Sequence, residues 1–151
     1  MKISDLLSPS DVLVNTPASN KQLLLQGLAS EAANSLGLRV DQVTPLLLRR
    51  EQFGSTGIGR GVAIPHALLP DLQRPFGLMA KLKQPIEFDA IDGQAVDLVF
   101  LLLLPAKTEH GQSSALVLVA RALRQIDVLN RLRRARDASD VYSVMAAASP
   151  T

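Results

Sequence analysis

The sequence contains no cysteine, which excludes disulfide scaffolds, zinc fingers, iron–sulfur clusters and thiol catalysis together. Aromatic residues are scarce, at 3% of 151 residues, with four Phe, one Tyr and no Trp. Single-stranded nucleic acid is held largely on aromatic faces, so a stacking platform is not expected and no nucleic-acid partner is assigned. Long apolar runs are also missing. The longest, Leu98 to Leu104, falls far short of the roughly 20 residues a membrane helix needs. The opening MKISDLLSPSD has no continuous apolar stretch before its first proline, so neither a secretory signal nor membrane insertion is expected. What is present is 47% hydrophobic and 20% charged residues. That composition buries a core built from Leu, Val and Ala. The expectation is a cytoplasmic chain forming one domain over 1–151, with a core from about residue 3 to residue 146.

Net charge is +2, unevenly spread. From Arg121 to Arg136 there are six arginines (121, 124, 131, 133, 134 and 136) against Asp127 alone. Such a patch meets an acidic protein or a nucleic-acid backbone, or is a solvated helix face. Arg131 and Arg134 share one side of a helical projection, with Leu129 and Leu132 on another, which is ordinary amphipathic patterning.

The elements alternate. Val12 to Val14 reads as a short strand. Ser19 and Gln22 have the spacing of a capping box, opening a helix whose apolar stripe is Leu23, Leu24, Leu28, Ala32 and Leu36. Gly37 stands where a left-handed cap belongs. A second helix runs from near Asp41 to about Gln52, with Pro45 close to its first turn. FGSTGIGRG reads as a loop, GVAIPHA as a short strand, and Phe76 to Leu82 as another. A turn at Asp92–Gly93 precedes a buried central strand, Val96 to Leu104. Helices are expected over about 113–124, 128–135 and 138–147. The pattern predicts a single α/β domain with a mixed parallel and antiparallel sheet flanked by helices on both faces.

The segment Gly54 to His66 is where chemistry is expected. Glycines 54, 57, 59 and 61 alternate with Ser55, Thr56 and Arg60, and glycine lets backbone N–H groups approach an anion closely. Gly54 and Gly59 have Walker A spacing, but Arg60–Gly61 stands where Lys and Ser or Thr are required. The dinucleotide fingerprint fails too, because Gly57-Ile-Gly59 is followed by Arg60-Gly61-Val62. Neither nucleotide motif is present. What remains is a glycine-rich turn leading to a histidine. Pro65 fixes its own φ and holds Ile64 extended, so His66 projects from a stiff strand end. A histidine so placed is either a nucleophile, neutral at cytoplasmic pH, or a packed or surface residue. Ser55, Thr56, loop amides and a nearby arginine are candidate donors to phosphoryl oxygens.

RREQFGSTGIGRGVAIPHA closely resembles the active-site signature of enzyme IIA domains of the fructose/mannitol type in the phosphotransferase system (PTS). It is most similar to the nitrogen-branch regulatory members (IIA-Ntr), which share R-E-x-x-G-S-T-G-(I/V)-G-x-G-x-A-(I/V)-P-H. The resemblance extends to the ISDLL opening, to the stretch from Pro85 to Pro105, and to LVLVARALR (Leu116 to Arg124). It implies the fold expected above and a phosphocarrier with a phosphohistidine intermediate and a mainly regulatory role. His66 would accept a phosphoryl group from a phosphorylated HPr-like carrier, ultimately from phosphoenolpyruvate. Arg50 corresponds to the arginine near the phosphohistidine, and Ser55 and Thr56 to the family's S-T pair. The resemblance implies no cofactor or metal. The implied targets are regulatory proteins of potassium-transport or sensor-kinase type. Two alternatives accompany this reading: a sugar-specific IIA passing phosphate to a IIB domain, and a non-catalytic binding module. The chain departs from the pattern in having Ala67 after His66. The family's second histidine falls on Gln112 in an ungapped alignment. His110 lies two residues earlier and supplies that imidazole only if the loop after Pro105 shifts register; otherwise it is an exposed loop residue.

Overall fold

The computed structural model describes residues 1–107 and 109–148, those from 109 to 113 by their backbone alone. A short 3-10 turn (Ile3–Asp5) leads into β1 (Leu7–Thr16), followed by α1 (Lys21–Leu36) and α2 (Val40–Phe53). Three short strands come next: β2 (Gly57–Gly59), β3 (Val62–Ala63) and β4 (His66–Leu69). The long strands β5 (Phe76–Ile86) and β6 (Val96–Pro105) follow, and then α3 (Glu109–Leu123), α4 (Ile126–Arg134) and α5 (Ala138–Ala147).

The strands form one mixed sheet in the order β1-β5-β6-β3-β2, with β4 also paired to β6. β1 is parallel to β5, β5 antiparallel to β6, and β3 and β4 both parallel to β6. The last two keep one register: Val62 faces Leu98, Ala63 faces Val99, and His66 faces Leu102. They are one line of chain interrupted at Ile64–Pro65, where proline has no N–H to give. The Pro65 carbonyl still accepts from the Leu102 N–H at 2.9 Å.

β6 is buried on both sides, as its near-continuous apolar run requires. Leu98, Phe100, Leu102 and Leu104 pack beneath α3, α4 and α5. Val99, Leu101 and Leu103 pack beneath α1 and α2. Alternation of two explains both sets, yet Val96 lies with the odd-numbered residues. The cause is a local bulge. The Gly61 carbonyl accepts from both Asp97 and Leu98 N–H groups, at 3.0 and 3.1 Å, which resets the phase of the strand.

Expected and observed elements differ where backbone chemistry decided. The α1 cap is Asn20, whose side chain accepts from the Leu23 N–H at 2.9 Å, rather than Ser19. Gly37 closes the helix at φ +69°. β1 is longer than Val12 to Val14 because an edge strand accommodates Pro9 within a register shift between Leu7 and Val12. FGSTGIGRG is not all loop, since Gly57–Gly59 pairs antiparallel with Val62–Ala63 as a hairpin. The arginine-rich stretch is partly used internally. Arg131 pairs with Asp127, and Arg133 reaches Asp97 across the fold.

Candidate functional site

Gly54 ends α2, and the Arg50 Nη1 donates to its carbonyl at 2.8 Å, fixing how the chain leaves the helix. Ser55 then donates its hydroxyl to the Phe88 carbonyl at 2.7 Å and accepts from the Gly57 N–H at 3.1 Å. Thr56 is buried. Its N–H and hydroxyl both go to the Glu51 carboxylate, at 2.8 and 2.5 Å. Both hydroxyl protons of the Ser55–Thr56 pair are thus committed to holding the loop.

The glycines serve the hairpin and its close packing. A Cβ on Gly57 would stand 2.8 Å from the Ala90 Cβ. Gly61 has φ +80°, and a Cβ there would meet Arg133 Nη2 at 2.5 Å and Asp97 Oδ1 at 2.8 Å. Between them Arg60 takes φ +59°. That conformation, uncommon for a residue with a side chain, is held by its N–H on Asp92 Oδ2 at 2.8 Å and by Arg133 Nη2 donating to its carbonyl. The backbone approach expected of an anion cradle is therefore an approach to other parts of the protein.

The chain then reaches the histidine. The Thr56 carbonyl accepts from the Ile64 N–H at 3.0 Å, and the Ile64 carbonyl lies 2.8 Å from His66 Nδ1. A carbonyl only accepts, so Nδ1 carries the proton and the neutral ring has its lone pair on Nε2. Burial, with the Arg50 charge behind it, holds the His66 pKa below its usual 6.5, while the Ile64 carbonyl and Glu51 act in the opposite direction. The ring is therefore neutral at pH 7.

His66 lines a cleft of about 490 Å³. Among the described residues β4 pairs with β6 alone, and α2 packs against it. Leu46, Arg49, Arg50 and Phe53 line the cleft from α2, and Leu68, Leu104 and Leu116 complete an apolar wall. Phe53 is 85% exposed, an unusual position for a large apolar ring. Arg49 was not singled out from sequence. Its signal is the helical spacing Leu46, Arg49, Arg50, Phe53, which puts all four on one side of α2. Glu51 points the other way, into an ion pair with Lys21 at 2.8 Å. His110 and Gln112 have side chains outside the described residues. Among those described, no three His, Cys, Asp or Glu side chains gather to hold a metal ion.

Residues 5–148 match the family described as "Phosphoenolpyruvate-dependent sugar phosphotransferase system, EIIA 2". The nitrogen regulatory protein of Bradyrhizobium diazoefficiens is 46% identical over 146 residues, covering 97% of this chain and 95% of that one. The structure of nitrogen regulatory protein IIA-Ntr from Neisseria meningitidis superposes with a TM-score of 0.85 at 28% identity, covering 95% of this chain and 98% of the other. Mannitol IIA of Escherichia coli, at 16% identity and a TM-score of 0.79, shares the fold over 93% of this chain and 99% of its own.

Proposed function

The chain belongs to the EIIA 2 family of the phosphoenolpyruvate-dependent sugar phosphotransferase system, and from that premise we propose that it is a nitrogen-branch phosphocarrier. In this reading His66 Nε2 takes a phosphoryl group from a phosphorylated HPr-like carrier, and the phosphorylation state sets binding to regulatory partners. The observation that carries it is the Nδ1 contact with the Ile64 carbonyl, which orients the ring and leaves the lone pair on Nε2.

In the transfer, that lone pair forms the bond to phosphorus while the bond from phosphorus to the donor breaks, and the donor leaves with the electron pair. The Nδ1 proton stays in place, and the Ile64 carbonyl stabilises the positive charge the ring acquires. Positioning and donors to the phosphoryl oxygens are the main demands of such a step. Arg49 and Arg50 line the same cleft. One bond from Arg50 to Gly54 leaves further guanidinium donors for phosphoryl oxygens.

The cleft wall gives the phosphoryl group a second effect. Phosphorylation adds about −1.5 to −2 charge beside Leu46, Phe53, Leu68 and Leu116, and an apolar docking rim that gains charge changes its partners. By the family resemblance these are of potassium-transport or sensor-kinase type. Among the described residues no helix is long and apolar enough to cross a membrane, and a carrier of this kind works in the cytoplasm.

The test is phosphoryl transfer from labelled phosphoenolpyruvate through enzyme I and the cognate carrier. Label is expected on the wild type and absent from His66→Ala. An unlabelled wild type beside a charged carrier would overturn the reading in favour of a non-catalytic binding module. Onward transfer to a fructose- or mannitol-type IIB would move the assignment to the sugar branch.

A further inference from the structure

Lys21 opens α1, more than forty positions from His66 in sequence. It lies on a separate hollow lined by Gln22, Leu25, Leu48, Glu51 and Gln52, which shares no residue with the cleft. Its Nζ pairs with Glu51 Oε2 at 2.8 Å, donates to the Phe88 carbonyl at 3.0 Å and stands 4.6 Å from the centre of the Phe88 ring. Asp89 Oδ2, largely exposed, is 3.7 Å away.

Both arms of this cation reach the loop before the histidine. Through Glu51 it holds Thr56, whose amide and hydroxyl share that carboxylate. Through the Phe88 carbonyl it meets Ser55, which donates to the same oxygen. The Thr56 carbonyl accepts from the Ile64 N–H, and the Ile64 carbonyl holds His66 Nδ1. A buried carboxylate that loses its cation is left as an uncompensated charge and shifts or draws in water. Either change competes with the two bonds Glu51 accepts from Thr56, and Thr56 would no longer hold Ile64 in place.

We propose that Lys21 is a positioning residue for phosphoryl acceptance, acting through Glu51 and Thr56 on the Ile64 carbonyl that aims the His66 ring. This rests on the reading of His66 as the phosphoryl acceptor, and the test separates the two. Lys21→Met removes the charge at similar length, Lys21→Gln keeps a donor without charge, and Lys21→Arg keeps both. Val141→Ala, on the buried face of α5, serves as a control for loss of stability away from the loop.

Two readouts are made on the full chain. One is the His66 ring tautomer by nitrogen-15 NMR, which needs no phosphoryl donor. The other is kcat and KM for phosphoryl transfer from the charged carrier. In Lys21→Met and Lys21→Gln the ring is expected to populate both tautomers and kcat to fall about tenfold, as a misplaced reacting group does. KM should stay within about twofold because the docking rim is untouched. Lys21→Arg is expected to restore both readouts, and Val141→Ala to leave both unchanged. Wild-type tautomer and kcat in Lys21→Met would overturn the proposal, as would equal losses in Val141→Ala at matched melting temperature. If Lys21→Met does not fold, Lys21→Gln decides on the same criteria. Failure of the wild type to accept phosphate would sink the His66 reading, while the tautomer would still decide whether Lys21 holds the ring.

Discussion

The segment from Gly54 to His66 is fastened near both ends of its glycine-rich part by an ion pair, and the two are built differently. Near Thr56, Glu51 lies inside the protein, with its side chain 6% exposed and its Lys21 partner 19% exposed. Its carboxylate takes the cation and both Thr56 donors. Near Gly61, Arg133 reaches Asp97 at 2.9 Å in the open, with side chains 35% and 26% exposed, and also holds the Arg60 carbonyl. A buried pair is costly to form and costlier to halve, because the survivor is left charged and unsolvated. An exposed pair is softened by water and salt. The inner fastening therefore tolerates little change and governs the residues leading to His66. The outer one shapes a hairpin and its Arg60 turn.

The sharpest way to break this contrast is to remove one carboxylate from each pair. Glu51→Ala leaves Lys21 without its close partner and Thr56 without an acceptor, and is expected to cost about 3–5 kcal/mol in urea unfolding. Asp97→Ala should cost about 1 kcal/mol or less. That loss should shrink between about 0.1 and 1 M salt, whereas the Glu51 loss should persist. Equal losses, or equal salt responses, would mean the burial difference does not matter.

The smallest effect concerns pH. The folded His66 pKa lies below its ordinary 6.5, so below that value the unfolded chain binds a proton the folded chain does not. Stability contributed by this group is present above 6.5 and is lost as pH falls toward the lowered folded value. Urea midpoints of wild type and His66→Gln should therefore converge in slope above 6.5 and diverge below it, with the variant the less acid-sensitive. Phosphoryl acceptance should hold through the same window, since the ring is still neutral there. A rate already falling as pH drops toward 6.5 would contradict the shifted titration.

Periodic elements and the signature were legible in the sequence. α5 begins and ends where its pattern placed it, and the central strand was recognisable from one apolar run. His66 and Arg50 stood out by their neighbours along the chain. Elements shaped by distant contacts were not legible. Glycines at 57, 59 and 61 read as an anion loop because nothing local announces Ala90, Asp97 or Arg133 as the groups they approach. Lys21 carried no signal, because its partners Glu51 and Phe88 meet it only after α1 packs on the sheet. Glu51 stands beside Arg50 in the sequence, yet the two side chains do different work. Glu51 holds the loop, while Arg50 binds Gly54 instead.

The shared register of β3 and β4 on β6 acts as a ruler. Side chains of a strand change face with every residue. Val62 and Ile64 lie with one helical layer, and Ala63, Ala67 and Leu69 with the other. Deleting or inserting a single residue between Val62 and His66 would send the imidazole to the wrong face or shift Ala67 and Leu69 out of theirs. The spacing of this stretch is therefore held by parity, and a change of length there displaces several side chains at once where a substitution changes one.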